Sequence, residues 1–169
     1  MLASINRHYL RRPLNFKQKY GREDSWVLVT GGSDGVGLEV CQQMARQGFN
    51  ICMVARNEAK MAEKLAHITE SFPQVKVKSV VFDFADHWQV QDYQNDIADQ
   101  VKDIDIAMVF LNAGVGQVGA FNEISPQDVE RICRVNALQP LYLTKVLLPL
   151  LIGRNHPSAI VYTSSGLGI

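Results

Sequence analysis

The chain carries no excess of either charge: 17 Lys and Arg stand against 17 Asp and Glu in 169 residues. That balance gives no overall electrostatic footprint for nucleic acid or for strongly acidic ligands. Cysteine is scarce, with only Cys41, Cys52 and Cys133. Their wide spacing offers neither a disulfide framework nor a paired metal-binding motif, so no metal site is expected. Each falls inside an expected helix or strand, where a small buried thiol in a reducing compartment is the reading. Uninterrupted apolar runs of the ~20 residues needed to cross a bilayer are also missing. The most apolar segment, residues 137–152, is broken by Pro140, Lys145 and Pro149 and reads as a core helix. No apolar stretch of sufficient length follows the first residues, so no secretory signal is expected. Internal repeats and low-complexity tracts are absent as well. What remains is a chain of single-domain length, 47% of it hydrophobic, able to bury a core.

The charge balance is not uniform along the chain. Arg7, Arg11, Arg12, Lys17, Lys19 and Arg22 face only Glu23 and Asp24, a net of +4 that leaves −4 for the rest. Residues 1–24 are therefore set apart as a basic arm, and residues 25–169 as one domain. A solvated arm, a juxtamembrane segment and an Arg-rich transit peptide are the three readings of this composition.

The organising stretch is WVLVTGGSDGVG, Trp26–Gly37. Trp26–Thr30 is a short apolar and β-branched run, which predicts a buried strand. Gly31, Gly35 and Gly37 follow, and helical periodicity then runs from Leu38 to Gln47. Strand, glycine turn, helix is the context in which such glycines mean dinucleotide binding. The helix start then aims its free N–H groups at the phosphates.

Downstream, strands alternate with helices. Asn50–Ala55 predicts a second buried strand. Residues 58–72 predict a helix that Pro73 ends. Residues 75–82 form a third strand closed by Asp83. Asp86 is placed to cap a helix whose face is Val90, Tyr93, Ile97 and Val101. Residues 104–111 form a fourth strand ending in Asn112-Ala113-Gly114. Ser125-Pro126 with Asp128 marks a strong helix start, and Pro140 should kink that helix. Residues 158–163 are a fifth strand. This alternation predicts an α/β fold: a doubly wound parallel sheet of Rossmann type that stops after its fifth strand.

In such sheets ligands lie outside the carboxyl ends of the strands. The second strand ends in Ala55-Arg56-Asn57, where an NAD site would place an acid on the ribose. Arg56 suits a 2′-phosphate instead, so NADP(H) is expected over NAD(H). Its bland alternative is a surface arginine opening a helix. Asp83 is either an acceptor for the adenine amino group or a plain turn aspartate, and spacing does not separate the two. Asn112, Ala113 and Gly114 allow close backbone approach, and Ser164, Ser165 and Gly166 follow the fifth strand.

In this order and spacing, Thr30-Gly31-x-x-x-Gly35-x-Gly37, Asn112-Ala113-Gly114, Asn136 and Ser165 resemble the short-chain dehydrogenase/reductase family across nearly all of residues 25–169. One departure is Leu111, where the family usually has a first asparagine before Asn-Ala-Gly. The resemblance implies cofactor contacts from Thr30, Gly31, Ser33, Asp34, Gly35, Val36 and Gly37, from Arg56, Asn57 and Asp83, and from Asn112, Ala113 and Gly114. It implies that Asn136 supports a proton-relay water and that Ser165 hydrogen-bonds the substrate carbonyl. Lys19-Tyr20-Gly21, Ser33-Asp34-Gly35 and Gly48-Phe49-Asn50-Ile51 are closest to the branch of 3-ketoacyl-CoA reductases and 17β-hydroxysteroid dehydrogenases. Val54-Ala55-Arg56-Asn57 is also similar to 3-ketodihydrosphingosine reductases. A small-molecule ketone or alcohol on a lipid-like skeleton is the implied substrate. Membrane association, a homo-oligomer and the endoplasmic reticulum, with the cytoplasm as alternative, complete the implied setting.

The family's catalytic Tyr-x-x-x-Lys is expected about a dozen residues after the serine, and no tyrosine in these 169 residues has a lysine four positions later. Tyr142 and Lys145 have the wrong spacing and precede the serine. A reductase whose remaining half lies outside this sequence and a non-catalytic NADP(H)-binding or interaction protein are the competing readings. A methyltransferase on a similar sheet is disfavoured by Arg56, Asn112 and Ser165.

Overall fold

The computed structural model describes residues 14–165. Arg7, Arg11 and Arg12 of the basic arm lie outside the described residues, as does Gly166. The elements follow in the order α1 (Phe16–Tyr20), β1 (Trp26–Thr30), α2 (Gly35–Arg46), β2 (Asn50–Ala55), α3 (Glu58–Ser71) and β3 (Val77–Val81). Then come α4 (residues 90–101), β4 (Ile106–Leu111), α5 (Pro126–Ile152) and β5 (Ala159–Tyr162). All five strands are parallel in the order β3-β2-β1-β4-β5. Strand order reverses between β2 and β4 on either side of β1, which opens a crevice at their carboxyl ends.

The pleat of β1 sorts the core. Val27 and Val29 face one layer with Cys41, Met44, Phe49, Met61 and Ile68 from α2, α3 and their connections. Trp26 and Leu28 face the other with Tyr93, Ile97, Leu143 and Leu147 from α4 and α5. Both central strands are buried along their full length, so they read as continuous apolar runs rather than alternating ones. At the edges, β3 and β5 are only partly covered. Pro126–Ile152 is apolar and long enough to cross a membrane by length and composition. Here Leu143, Val146, Leu147 and Leu151 seat it on the sheet.

Several expectations need correction. The helix after the glycine turn starts at Gly35, not Leu38, because Asp34 caps it by accepting the Gly35 N–H. The third strand is shorter at both ends than residues 75–82. Asp86 does not cap α4. Gln89 does, through reciprocal bonds with Asp92. Cys133 is exposed, because it lies on the outer side of α5, while Cys41 and Cys52 are buried. Burial pushes both of those thiols up to about 12, which leaves them unreactive. Within residues 14–24 the side chains of Lys19 and Arg22 are exposed, while Phe16, Lys17 and Tyr20 are partly buried. Phe16 and Tyr20 lie on the core, and the Lys17 ammonium donates to the Gly48 carbonyl at 2.8 Å.

Pro140 does not break α5. The turn directly before it, Arg134–Leu138, widens into a π-helix. A proline offers no N–H and its ring crowds the carbonyl four residues back, and a widened turn relieves both. A second π turn, Gln94–Ala98 in α4, has no proline beside it.

Candidate cofactor and catalytic site

The cleft forms where the glycine turn after β1 meets the end of β4. Thr30 sets that meeting. Its buried hydroxyl accepts the N–H groups of Asn112 and Ala113, both at 2.9 Å. The turn is then pressed against the neighbouring strand end. A Cβ on Gly31 would stand 3.0 Å from the Ala113 Cα, and Gly31 has φ of 64°. A Cβ on Gly37 would stand 2.3 Å from the Gly31 carbonyl oxygen. By contrast, a Cβ on Gly35 meets nothing within 4 Å, so the backbone there faces open cleft. A backbone held this close, with open space at the helix start, fits a pyrophosphate on the N–H groups of α2.

The cleft has a volume of about 510 Å³. Of the expected cofactor residues, Gly31, Ser33, Asp34, Gly35, Arg56, Asn57, Asp83, Asn112, Ala113 and Gly114 line it. Thr30 and Gly37 stand behind its wall as spacers, and Val36 is exposed on the first turn of α2. Lys60 on α3 and Arg131 on α5 also line the cleft, away from any strand end, and Phe82 and Phe84 flank Asp83 just after β3, where no polar group singled them out. Arg131 has a detectable local pattern, since it closes Ser125-x-x-Asp128-x-x-Arg131 at helical spacing. Its guanidinium holds Asp128 at 2.9 Å, and the Ser125 hydroxyl donates to the same carboxylate.

Charge is arranged around the second and third strand ends. Arg56 lies 3.7 Å from Asp83, with its side chain 69% exposed and reaching over the cleft. Asp83 Oδ1 accepts the Ala85 N–H, and its backbone carbonyl meets the His87 ring, which stacks on Phe82. Asn57 caps α3 by accepting the Lys60 N–H. The Lys60 ammonium reaches across to Asp34 at 2.6 Å. That hydrogen bond, helped by the Gly35 N–H, holds the Asp34 carboxyl below the usual range.

On the β4 side, Asn136 sits in the π turn of α5. Its Oδ1 accepts the Val115 N–H at 2.9 Å and its Nδ2 donates to the Val115 carbonyl at 2.8 Å. Both ends of the amide are therefore engaged with one residue of the loop after Asn112-Ala113-Gly114. Asn112 Oδ1 in turn accepts the Thr163 hydroxyl from the end of β5. Ser165 follows three residues after β5 and is exposed. Tyr142 and Lys145 make no pair: Tyr142 packs edge-on against Tyr93, and Lys145 is exposed on α5.

The strand order and the glycine turn at its switch point define a doubly wound dinucleotide-binding domain. A family model described as short chain dehydrogenase matches residues 25–169, and the chain belongs to that family of nicotinamide-dependent oxidoreductases. Among relatives, it is 32% identical over 149 residues to a very-long-chain 3-oxoacyl-CoA reductase of Coccidioides immitis (strain RS), covering 87% of this chain and 42% of that protein. The chain thus spans less than half the length of this curated relative. A crystal structure of a short chain dehydrogenase from Escherichia coli CFT073 superposes with a TM-score of 0.80 at 30% identity, over 93% of this chain and 67% of that one. One from Shigella flexneri 2a, solved in complex with NADP, gives a TM-score of 0.78 at 30% identity, over 86% and 61% of the two chains.

Proposed function

We propose that this chain supplies the nucleotide site, and two polar groups of the carbonyl site, of an NADP(H)-dependent reductase. Its substrate is a ketone on a lipid-like skeleton. A long-chain 3-ketoacyl-CoA is the first candidate, with a ketosteroid or 3-ketosphinganine as the others. The observation that carries the cofactor preference is Arg56, exposed over the cleft at the end of β2 with no acid in the place a ribose diol would need. A guanidinium there grips a phosphate through two parallel N–H bonds, whereas a bare hydroxyl offers it no charge. The substrate class rests on similarity to the 3-oxoacyl-CoA reductases.

In this reading Gly31, Gly35 and the α2 N-terminus hold the diphosphate. Asp83 accepts from the adenine amino group, and Asn112, Ala113 and Gly114 form the wall beside the nicotinamide half. When bound, the nicotinamide supplies or accepts the hydride. Ser165 donates a hydrogen bond to the carbonyl oxygen and so favours the charge that develops there. Asn136 acts at one remove, by fixing Val115 and hence the loop that borders the reacting centre. The resemblance assigns proton donation to a Tyr-x-x-x-Lys pair, which neither Asn136 nor Ser165 replaces. The endoplasmic reticulum membrane is the setting that fits a lipid-like substrate.

Fluorescence titration with NADPH and NADH tests the cofactor half of the reading. NADPH is expected to bind at least about tenfold more tightly, and Arg56→Gln to remove most of that difference, as loss of a charge-assisted bidentate contact should. Equal affinity for the two cofactors sinks the NADP(H) assignment. Incubation with NADPH and each ketone, following loss of the reduced nicotinamide, tests the chemistry. Turnover of any of them carries the catalytic reading. Without the Tyr-x-x-x-Lys pair, binding alone is the outcome both readings share, and the non-catalytic one is favoured only if a chain that includes that pair also fails to turn them over.

A further inference from the structure

One charged pair in the cleft has no role in the scheme above. Asp34 stands at the lip of the glycine turn, where Oδ1 accepts the Gly35 N–H at 2.8 Å. Its Oδ2 accepts the Lys60 ammonium at 2.6 Å. Lys60 comes from the first turn of α3, so the pair links the second βα unit to the first beside the cleft they both line. A carboxylate in this place is unfavourable for a phosphate site. The N–H groups at the start of α2 are the donors a diphosphate would face. Asp34 occupies one of them and adds a like charge a few ångströms away. At surface dielectric, such a charge is enough to weaken binding of an anion about three- to tenfold.

We infer that Lys60 is the counter-charge that makes Asp34 compatible with a bound dinucleotide: a positioning residue that holds the carboxylate on the Gly35 N–H and cancels its field at the phosphate cradle. The inference rests on the dinucleotide reading of the cleft. The geometry favours this role over a direct grip on a 2′-phosphate. Lys60 is drawn toward the glycine turn, while Arg56 is drawn the other way, toward Asp83. The pair is also solvent-facing, with side chains 38% and 78% exposed, so its loss acts on binding rather than on the core.

The two roles differ in cofactor dependence, because only NADPH carries a 2′-phosphate while both cofactors carry the diphosphate. The test titrates the 169-residue protein and its K60M, K60R, D34N and D34N/K60M variants with NADPH and with NADH, at low and at high salt. K60M should weaken both cofactors by the same factor, about three- to tenfold at low salt, and the loss should shrink as salt is added. K60R should bind like the parent. D34N/K60M should recover the parent affinity, because asparagine keeps the cap and removes the charge. Melting temperatures of all variants separate lost folding from lost binding. Unchanged affinity for both cofactors in K60M overturns the inference. So does a loss confined to NADPH that D34N fails to repair, which would assign the ammonium to the 2′-phosphate. If the parent protein binds neither dinucleotide, the reading beneath the inference fails, and the inference with it.

Discussion

At the scale of single residues, the glycine turn separates space from conformation. A Cβ on Gly37 would lie 2.3 Å from the Gly31 carbonyl oxygen and 2.7 Å from Asn112 Nδ2. Neither neighbour can give way freely: the Gly31 N–H is bonded to Val54 in β2, and the Asn112 N–H to Thr30. Gly37→Ala is therefore expected to cost about 1–3 kcal/mol, the range for an overpacked site, and to lose dinucleotide affinity with it. At Gly35 the space is open and only the backbone angle, φ of 48°, resists a side chain. Gly35→Ala should cost about 1 kcal/mol from that conformation alone. Urea denaturation of the two variants gives the comparison directly, and a larger loss at Gly35 than at Gly37 would contradict the packing argument. Both glycines belong to the spacing that the sequence displays. Close packing at the last glycine follows from that spacing; which atom it would strike does not, because the carbonyl in the way belongs to its own turn folded back under tertiary restraint.

At the scale of elements, apolar periodicity located the strands and helices well and their ends poorly. The cause differs from case to case. Asp34 draws the start of α2 three residues earlier than Leu38, where the apolar periodicity begins, because a cap depends on one side-chain oxygen rather than on a hydrophobic face. The π turns in α4 and α5 were illegible, since no residue type marks a widened turn as a glycine or a cap marks its own place; Pro140 hinted at a distortion but not at its kind. The α5 π turn is nevertheless where Asn136 sits, with its amide closed on the Val115 backbone. Both groups it satisfies border solvent, so water can replace the lost partner. Asn136→Ala should therefore change global stability by less than about 1 kcal/mol. Its effect should appear locally, as faster hydrogen exchange and protease cleavage in residues 114–124, the loop that Val115 begins. Protection in that loop equal to the parent's would show that Asn136 does not anchor it.

At the scale of the whole molecule, the polar groups of the cleft were legible where a strand end faces it and obscure where a helix reaches in. Arg56, Asp83 and Asn112 follow from the rule that ligands gather at carboxyl ends, whereas Lys60 and Arg131 approach from helices. The opposite end of the sheet holds a network that no local pattern announces. The Arg154 side chain is only 5% exposed, and its guanidinium bonds both oxygens of Asp105, at 2.6 and 3.0 Å. It also donates to the Tyr20 carbonyl, while the Ser25 hydroxyl donates to Asp105. The network thus ties α1, the approach to β1 and the approach to β4 to the chain after α5. Removing one partner of such a pair leaves the other poorly solvated. Because Asp105 keeps a quarter of its side-chain surface, at 26%, Arg154→Met should fall near the low end of about 3–5 kcal/mol at neutral pH. The same pair fixes a pH dependence. The Arg154 hydrogen bond, with help from Ser25, lowers the Asp105 carboxyl from its ordinary 3.8. A lowered folded-state value means that the unfolded chain binds the proton more readily, so the contribution is complete above the ordinary value and fades as pH falls through the folded one. Parent stability should therefore drop as pH descends through that ordinary value of 3.8 and below. Asp24, Asp34, Glu63 and Asp128 are lowered in the same direction by their own partners, so the variant keeps part of the slope. Urea midpoints measured across that range should converge, with parent and Arg154→Met closest at the acid end; a constant gap at every pH would mean that Arg154 stabilises the fold by packing and backbone bonds rather than through the Asp105 carboxylate.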